Sequence, residues 1–135
     1  MPGWIEHNDL PAVYAAADLF ALPSLYEGFG IPLIEAMACG CPIVTADTCA
    51  PPEACDGAAQ LVDPLDVDSI ASAMRTVLSD STLRAKMIAR GIERAKDFGW
   101  EKCAREVLDA FDAVASYAPH SRTAPAGVAP RTRTP

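Results

Sequence analysis

Two short apolar runs, Leu19-Phe20-Ala21-Leu22 and Pro42-Ile43-Val44-Thr45, bracket a helix-forming stretch from Pro32 to Ala38. This order constrains the fold more than any other feature of the chain. Such short runs fit strands buried on both faces, as parallel sheets require. Parallel strands need a crossover, and the stretch between them has Pro32 at the tolerated first turn of a helix and Gly40 just past its end. A third run, Ala59 to Val62, is ended by Asp63-Pro64. Strand, loop, helix, strand is the pattern of an α/β, Rossmann-like parallel sheet with flanking helices.

Ahead of the first run, Leu10 to Ala17 is Ala-rich with Leu10, Val13 and Tyr14 at helical spacing. Asp9 is placed to be its N-cap and Pro11 sits in its first turn. Pro51-Pro52-Glu53 reads as loop punctuation. Three helices are expected after the third strand. Their apolar stripes run through Val67, Ile70, Met74, Val77 and Leu78; through Leu83, Met87, Ile88, Ile92 and Ala95; and through Trp100, Cys103, Ala104, Val107, Leu108, Phe111 and Val114. Each stripe reads as a core face. From Ala118 the chain turns to Pro, Ala, Thr and Arg without apolar period, so residues 118–135 are expected to be a disordered tail beyond a partial domain of residues 1–117. Three short strands are few for helices with this much apolar face, and upstream strands are expected to be missing.

The net charge of −7 is unevenly spread, because residues 1–74 contain no Lys or Arg and carry eleven acids. Such a surface repels phosphate backbones, which argues against nucleic-acid binding. No run approaches the ~20 apolar residues of a membrane span. Met1 is followed by Pro-Gly-Trp-Ile-Glu, which does not read as a signal peptide, so a cytoplasmic location is expected. Five cysteines, an odd count without paired C-x-x-C spacing, read as free thiols acting as small buried hydrophobes.

The chemistry concentrates in Glu27-Gly28-Phe29-Gly30-Ile31-Pro32-Leu33-Ile34-Glu35. A strand ends before this segment and a helix starts within it. The glycines permit unusual dihedrals and close ligand approach. The amides of Gly28 to Ile31 can then point outward at a helix N-terminus, a ready anion site at the edge of the sheet where ligands bind. Glu27 and Glu35 flank the amides with strong hydroxyl acceptors. A ligand with hydroxyls at both ends and phosphate between them, such as a nucleoside diphosphate sugar, has the matching layout. From spacing alone, the same residues also fit a turn cap at Glu27 and a charge favourable to the helix dipole at Glu35.

The stretch from Asp9 to about Asp112 resembles glycosyltransferase family 4, the group 1 glycosyltransferases, whose fold is termed GT-B. The resemblance is carried by Asp9-Leu10-Pro11, Tyr14-Ala15-Ala16-Ala17-Asp18-Leu19-Phe20, Leu22-Pro23-Ser24, the Glu27-to-Glu35 signature and Ala36-Met37-Ala38-Cys39-Gly40. Pro52-Glu53, Asp63-Pro64-Leu65-Asp66 and Phe98-Gly99-Trp100 continue it. It implies the C-terminal, donor-binding half of a GT-B enzyme that transfers a sugar from a nucleotide donor with retention and without a metal or other cofactor. It implies that Glu27 contacts donor-sugar hydroxyls at the reaction centre and that Gly28, Phe29 and Gly30 meet the sugar. It further implies that the Ile31 amide meets the diphosphate and that Glu35 binds the ribose. The family's basic pair and its N-terminal acceptor domain have no counterpart in these residues. The isolated chain is therefore expected to be inactive. The alternatives are a stand-alone nucleotide-sugar-binding module working with a partner chain, or a nonfunctional remnant.

Other features are weaker. Asp66-Val67-Asp68 spells the D-x-D of metal-dependent transferases, but it falls at an expected helix start where acids favour the dipole. His7 and His120 have no partner at a recognisable spacing, and Ser24 fits a turn as well as a donor contact.

Overall fold

The computed structural model describes residues 3–117. The expected tail, 118–135, lies outside the described residues. A 3-10 turn at His7–Asp9 leads into α1 (Leu10–Ala16), followed by β1 (Phe20–Leu22), α2 (Ile31–Ala38), β2 (Ile43–Ala46), α3 (Pro51–Cys55), β3 (Gln60–Val62), α4 (Val67–Ser79) and α5 (Ser81–Ala95). These belong to one compact unit that ends at Gly99; α6 (Trp100–Tyr117) belongs to a second.

The sheet has the order β1-β2-β3, and both pairs are parallel. Phe20 faces Ile43 and Leu22 faces Thr45, while Val44 faces Gln60 and Ala46 faces Val62. α2 and α3 supply the two crossovers. The central strand β2 is buried along its whole length. Its alternating side chains serve opposite faces. Ile43 joins Leu33, Ala36, Met37, Cys41, Cys55 and Ala58 in one cluster. Val44 joins Val62, Ala73, Val77 and Met87 in the other. Thr45 is fully buried, and its hydroxyl donates to the Leu22 carbonyl at 2.9 Å, which offsets the cost of burying it.

The helices end and begin as their sequences dictate. Gly40, at φ +71°, takes the left-handed position that closes α2. The Cys41 amide then reaches the Ala36 carbonyl and the Gly40 amide the Met37 carbonyl. Asp66 caps α4 by accepting from the Asp68 and Ser69 amides at 2.9 and 3.0 Å, and Asp80 caps α5 through the Leu83 amide at 2.9 Å.

Four expectations need correction. Pro51-Pro52-Glu53 opens the helix α3 rather than a loop, because both prolines occupy the first turn, where a missing N–H costs nothing. Asp9 does not cap α1 with its side chain. The preceding 3-10 turn already holds Asp9 at helical dihedrals (φ −92°, ψ −16°) instead of the extended backbone of a capping residue. The stripe on α6 is uncovered: no residue of α6 is buried, and its unit contains no second layer among the described residues to cover one. The thiols are free, but only Cys41 and Cys55 are buried, while Cys49 and Cys103 are exposed on a loop and on α6.

Candidate functional site

In a parallel sheet the loops that follow the strands all leave from one edge, the edge that binds ligands in open α/β folds. Here the segment 23–30 leaves β1 and the segment 47–50 leaves β2. The Ala50 amide reaches the Glu27 carbonyl at 3.4 Å, linking the two.

Gly30 is the pivot. It lies at φ +87°, ψ 45°, as the residue that caps α2, and its carbonyl accepts from Leu33 N at 2.9 Å. A Cβ at this position would lie 2.8 Å from Leu33 Cδ1, so the corner excludes a side chain both by dihedral and by space. Gly28 differs: its φ is not positive and nothing lies within 4 Å of where its Cβ would be. The expectation of unusual dihedrals therefore holds at Gly30 alone, and Gly28 leaves open room. Among the described residues, no carbonyl or side chain accepts from the amides of Gly28, Phe29, Gly30 or Ile31. At the positive end of α2, these donors form a corner suited to an anion.

Phe29 is half exposed, with its ring edge-on to Phe98 at 5.9 Å. The Arg94 guanidinium covers Phe98 at 4.7 Å. It also donates to the carbonyls of Ala54 and Glu53 at 3.1 and 2.9 Å and pairs with Asp97 at 2.8 Å. The far end of α5 thus holds both α3 and the loop bearing Phe29. This support was not legible beforehand, because Arg94 lies 65 positions beyond Phe29 and nothing in its own segment points back to it.

Glu27 is half-buried on the loop, and Glu35 is half-buried on the fifth residue of α2. The Tyr14 hydroxyl donates to Glu35 Oε2 at 3.2 Å. Burial, and then the charge and hydrogen bond of Glu35, push the Tyr14 hydroxyl up to about 12. Glu35, Ala38 and Cys39 form one wall of a cleft of about 240 Å³, whose other wall is His7, Leu10, Pro11 and Tyr14. None of residues 27–31 lines it, so the structure places Glu35 in a concavity shared with α1 that the loop residues of the signature do not line. In the sequence Tyr14 stands out only by helical spacing and as part of a motif; its phenol on Glu35 is a site feature that spacing does not reveal.

A larger groove of about 280 Å³ lies between β3 and α4, lined by Gln60, Leu61, Val62, Ser69, Ser72, Ala73 and Thr76. It contains no ionisable group, and size alone does not make it the site. Among the described residues no three His, Cys, Asp or Glu side chains converge as a metal site would require, and Asp66 is engaged as a helix cap. Burial raises the Cys41 thiol and pushes that of Cys55 up to about 11. Neither is poised as a nucleophile.

Comparison with known proteins places the chain in a family. The family model for glycosyl transferases group 1 matches residues 1–94. The O-antigen chain mannosyltransferase B of Escherichia coli is 42% identical over 109 residues, which cover 81% of this chain and 29% of that protein. Sucrose-phosphate synthase from Thermosynechococcus elongatus superposes with a TM-score of 0.75 at 30% identity, over 86% of this chain and 30% of that one. The C-terminal domain of a group 1 family glycosyl transferase (LpcC) from Francisella tularensis gives a TM-score of 0.62 at 35% identity, over 70% and 50%. The chain thus spans under a third of the mannosyltransferase. The parallel sheet with flanking helices is the architecture that the sequence predicts and that these structures share. The chain belongs to the group 1 glycosyltransferase family.

Proposed function

We propose that this chain binds the nucleotide-sugar donor for a glycosyltransferase that works in the cytoplasm, retains anomeric configuration and needs no metal. The observation that carries this reading is the run of unpartnered amides from Gly28 to Ile31 at the start of α2, flanked by Glu27 and Glu35. In this reading the amides receive the diphosphate. Glu27 accepts from hydroxyls of the transferred sugar, and the Gly28-Phe29-Gly30 backbone lies against that sugar. Glu35 accepts from the ribose.

A leaving diphosphate also needs cations, since electrostatic stabilisation is usually the largest catalytic contribution. Residues 1–74 hold no Lys or Arg, and Arg94 is engaged with Glu53, Ala54 and Asp97. In this reading the positive half of the site comes from elsewhere, together with an acceptor-binding domain. The same shortage of cations favours, as a second reading, a donor module completed by a separate partner chain. The test is direct: with radiolabelled UDP-, GDP- and ADP-sugars the isolated chain is expected to bind but not to turn over. Glu35→Ala is expected to weaken binding about tenfold. Robust turnover by the isolated chain would overturn the inactivity, and unchanged affinity in Glu35→Ala would overturn the ribose assignment.

A further inference from the structure

We infer that Tyr14 is the positioning residue for Glu35, holding one carboxylate oxygen so that the other is presented to a vicinal diol in the cleft. The inference rests on the proposed ribose role of Glu35 and adds a group that acts through it. Three observations carry it. The Tyr14 hydroxyl donates to Oε2 at 3.2 Å, whereas Oε1 has no partner among the described residues. The Tyr14 ring is itself held edge-on by Phe20 of β1 at 5.4 Å and 86°, and it packs against the cluster containing Leu33 and Met37. Both side chains line the same cleft of about 240 Å³, which sets the bonded carboxylate beside a concavity.

The physical consequence is preorganisation. A free glutamate loses rotamer freedom when it grips a ligand. Here part of that freedom is already gone on folding, because the chain from β1 through the Tyr14 ring fixes where Oε2 lies. A carboxylate has lone pairs for several donors, so the bond from Tyr14 leaves capacity for two ligand hydroxyls. With its hydroxyl raised to about 12, Tyr14 keeps its proton and stays a donor throughout the neutral range.

The test compares diphosphates of the same base with and without the diol. Calorimetry with UDP, GDP and ADP identifies the tightest binder, and its 2′,3′-dideoxy form is the control. The ribonucleotide is expected to bind Tyr14→Phe about 3- to 10-fold more weakly than wild type, and the dideoxy form to bind both alike. Tyr14→Phe keeps the ring and its packing, and a thermal melt checks that it folds. Equal loss for both nucleotides, or no loss for either, would overturn the positioning role, because a merely structural change does not discriminate the diol. Glu35→Gln separates the two layers. If it lowers ribonucleotide affinity while Tyr14→Phe does not, only the positioning role falls. If it lowers nothing, or if none of the three nucleotides binds, the reading of the site itself falls.

Discussion

The two faces of α2 obey different rules. Leu33, Ala36 and Met37 point inward and are sealed at 1% exposure or less. Ile31, Glu35 and Ala38, with Gly28 and Phe29 just before the helix, are half-buried or exposed. On the inner face a residue is selected by volume, because interiors pack as densely as organic crystals. On the outer face it is selected by what it can donate, accept or make room for. One helix therefore supports both the sheet and the candidate site. Substitutions on its two sides should be read by different measurements, stability for one and ligand affinity for the other.

The largest expected effect lies inside. Leu33→Ala removes a fully buried side chain that contacts the core cluster and backs onto Gly30. A loss of about 2–5 kcal/mol in urea unfolding is expected from lost transfer energy and the cavity left behind. A loss under about 1 kcal/mol would mean that the inner face is looser than its burial indicates, and the contrast between faces would dissolve.

The next effect contrasts the two glycines. Gly30→Ala must adopt a left-handed backbone and place its methyl against Leu33, costing about 1–3 kcal/mol of stability. Gly28→Ala meets neither obstacle and should leave stability within about 0.5 kcal/mol. If the space beside Gly28 is where the donor lies, the same methyl should lower nucleotide-sugar affinity. Equal stability losses for the two variants would erase the distinction. An unchanged affinity in Gly28→Ala would place the donor away from that backbone.

The parts of this architecture that were legible in the sequence are those governed by local rules. Pro32 and Gly40 marked the ends of α2 because each suits one position in a helix and few others. Ile43, Val44 and Thr45 marked the central strand because only a strand buried on both faces tolerates such a run. Pro51 and Pro52 misled for a related reason: a proline pair interrupts a helix in its interior but not in its first turn, and only the tertiary position tells the two apart. The α6 stripe shows that periodicity reports an amphipathic helix without reporting what covers it. At the site, the acids and glycines stood out as a contiguous motif, but their supports did not. Tyr14 reaches Glu35 across 21 positions, and Arg94 reaches Glu53 across 41. Contacts that long are made by the fold, and no local pattern encodes them.

The smallest expected effect tests the outer face through one proton. The Tyr14 hydroxyl is raised from 10.0 to about 12, first by burial and then by Glu35. The folded protein thus holds this proton more tightly than the unfolded chain does, and raising the pH between those values drives unfolding. The stability difference between wild type and Tyr14→Phe should be constant below about pH 10 and should shrink as the pH rises from there to about 12. Phenylalanine has no proton to lose, so taking the difference cancels the groups that titrate in that range without interacting with Tyr14. In a Glu35→Gln background the negative charge vanishes while burial and an amide oxygen that can accept the bond remain, so the window should narrow from its upper end without closing. A difference that stays flat from about pH 9 to about pH 12 would show that Tyr14 is not held as its geometry indicates. A window of unchanged width in the Glu35→Gln background would show that the Glu35 charge adds nothing to the shift and would leave it to burial and hydrogen bonding.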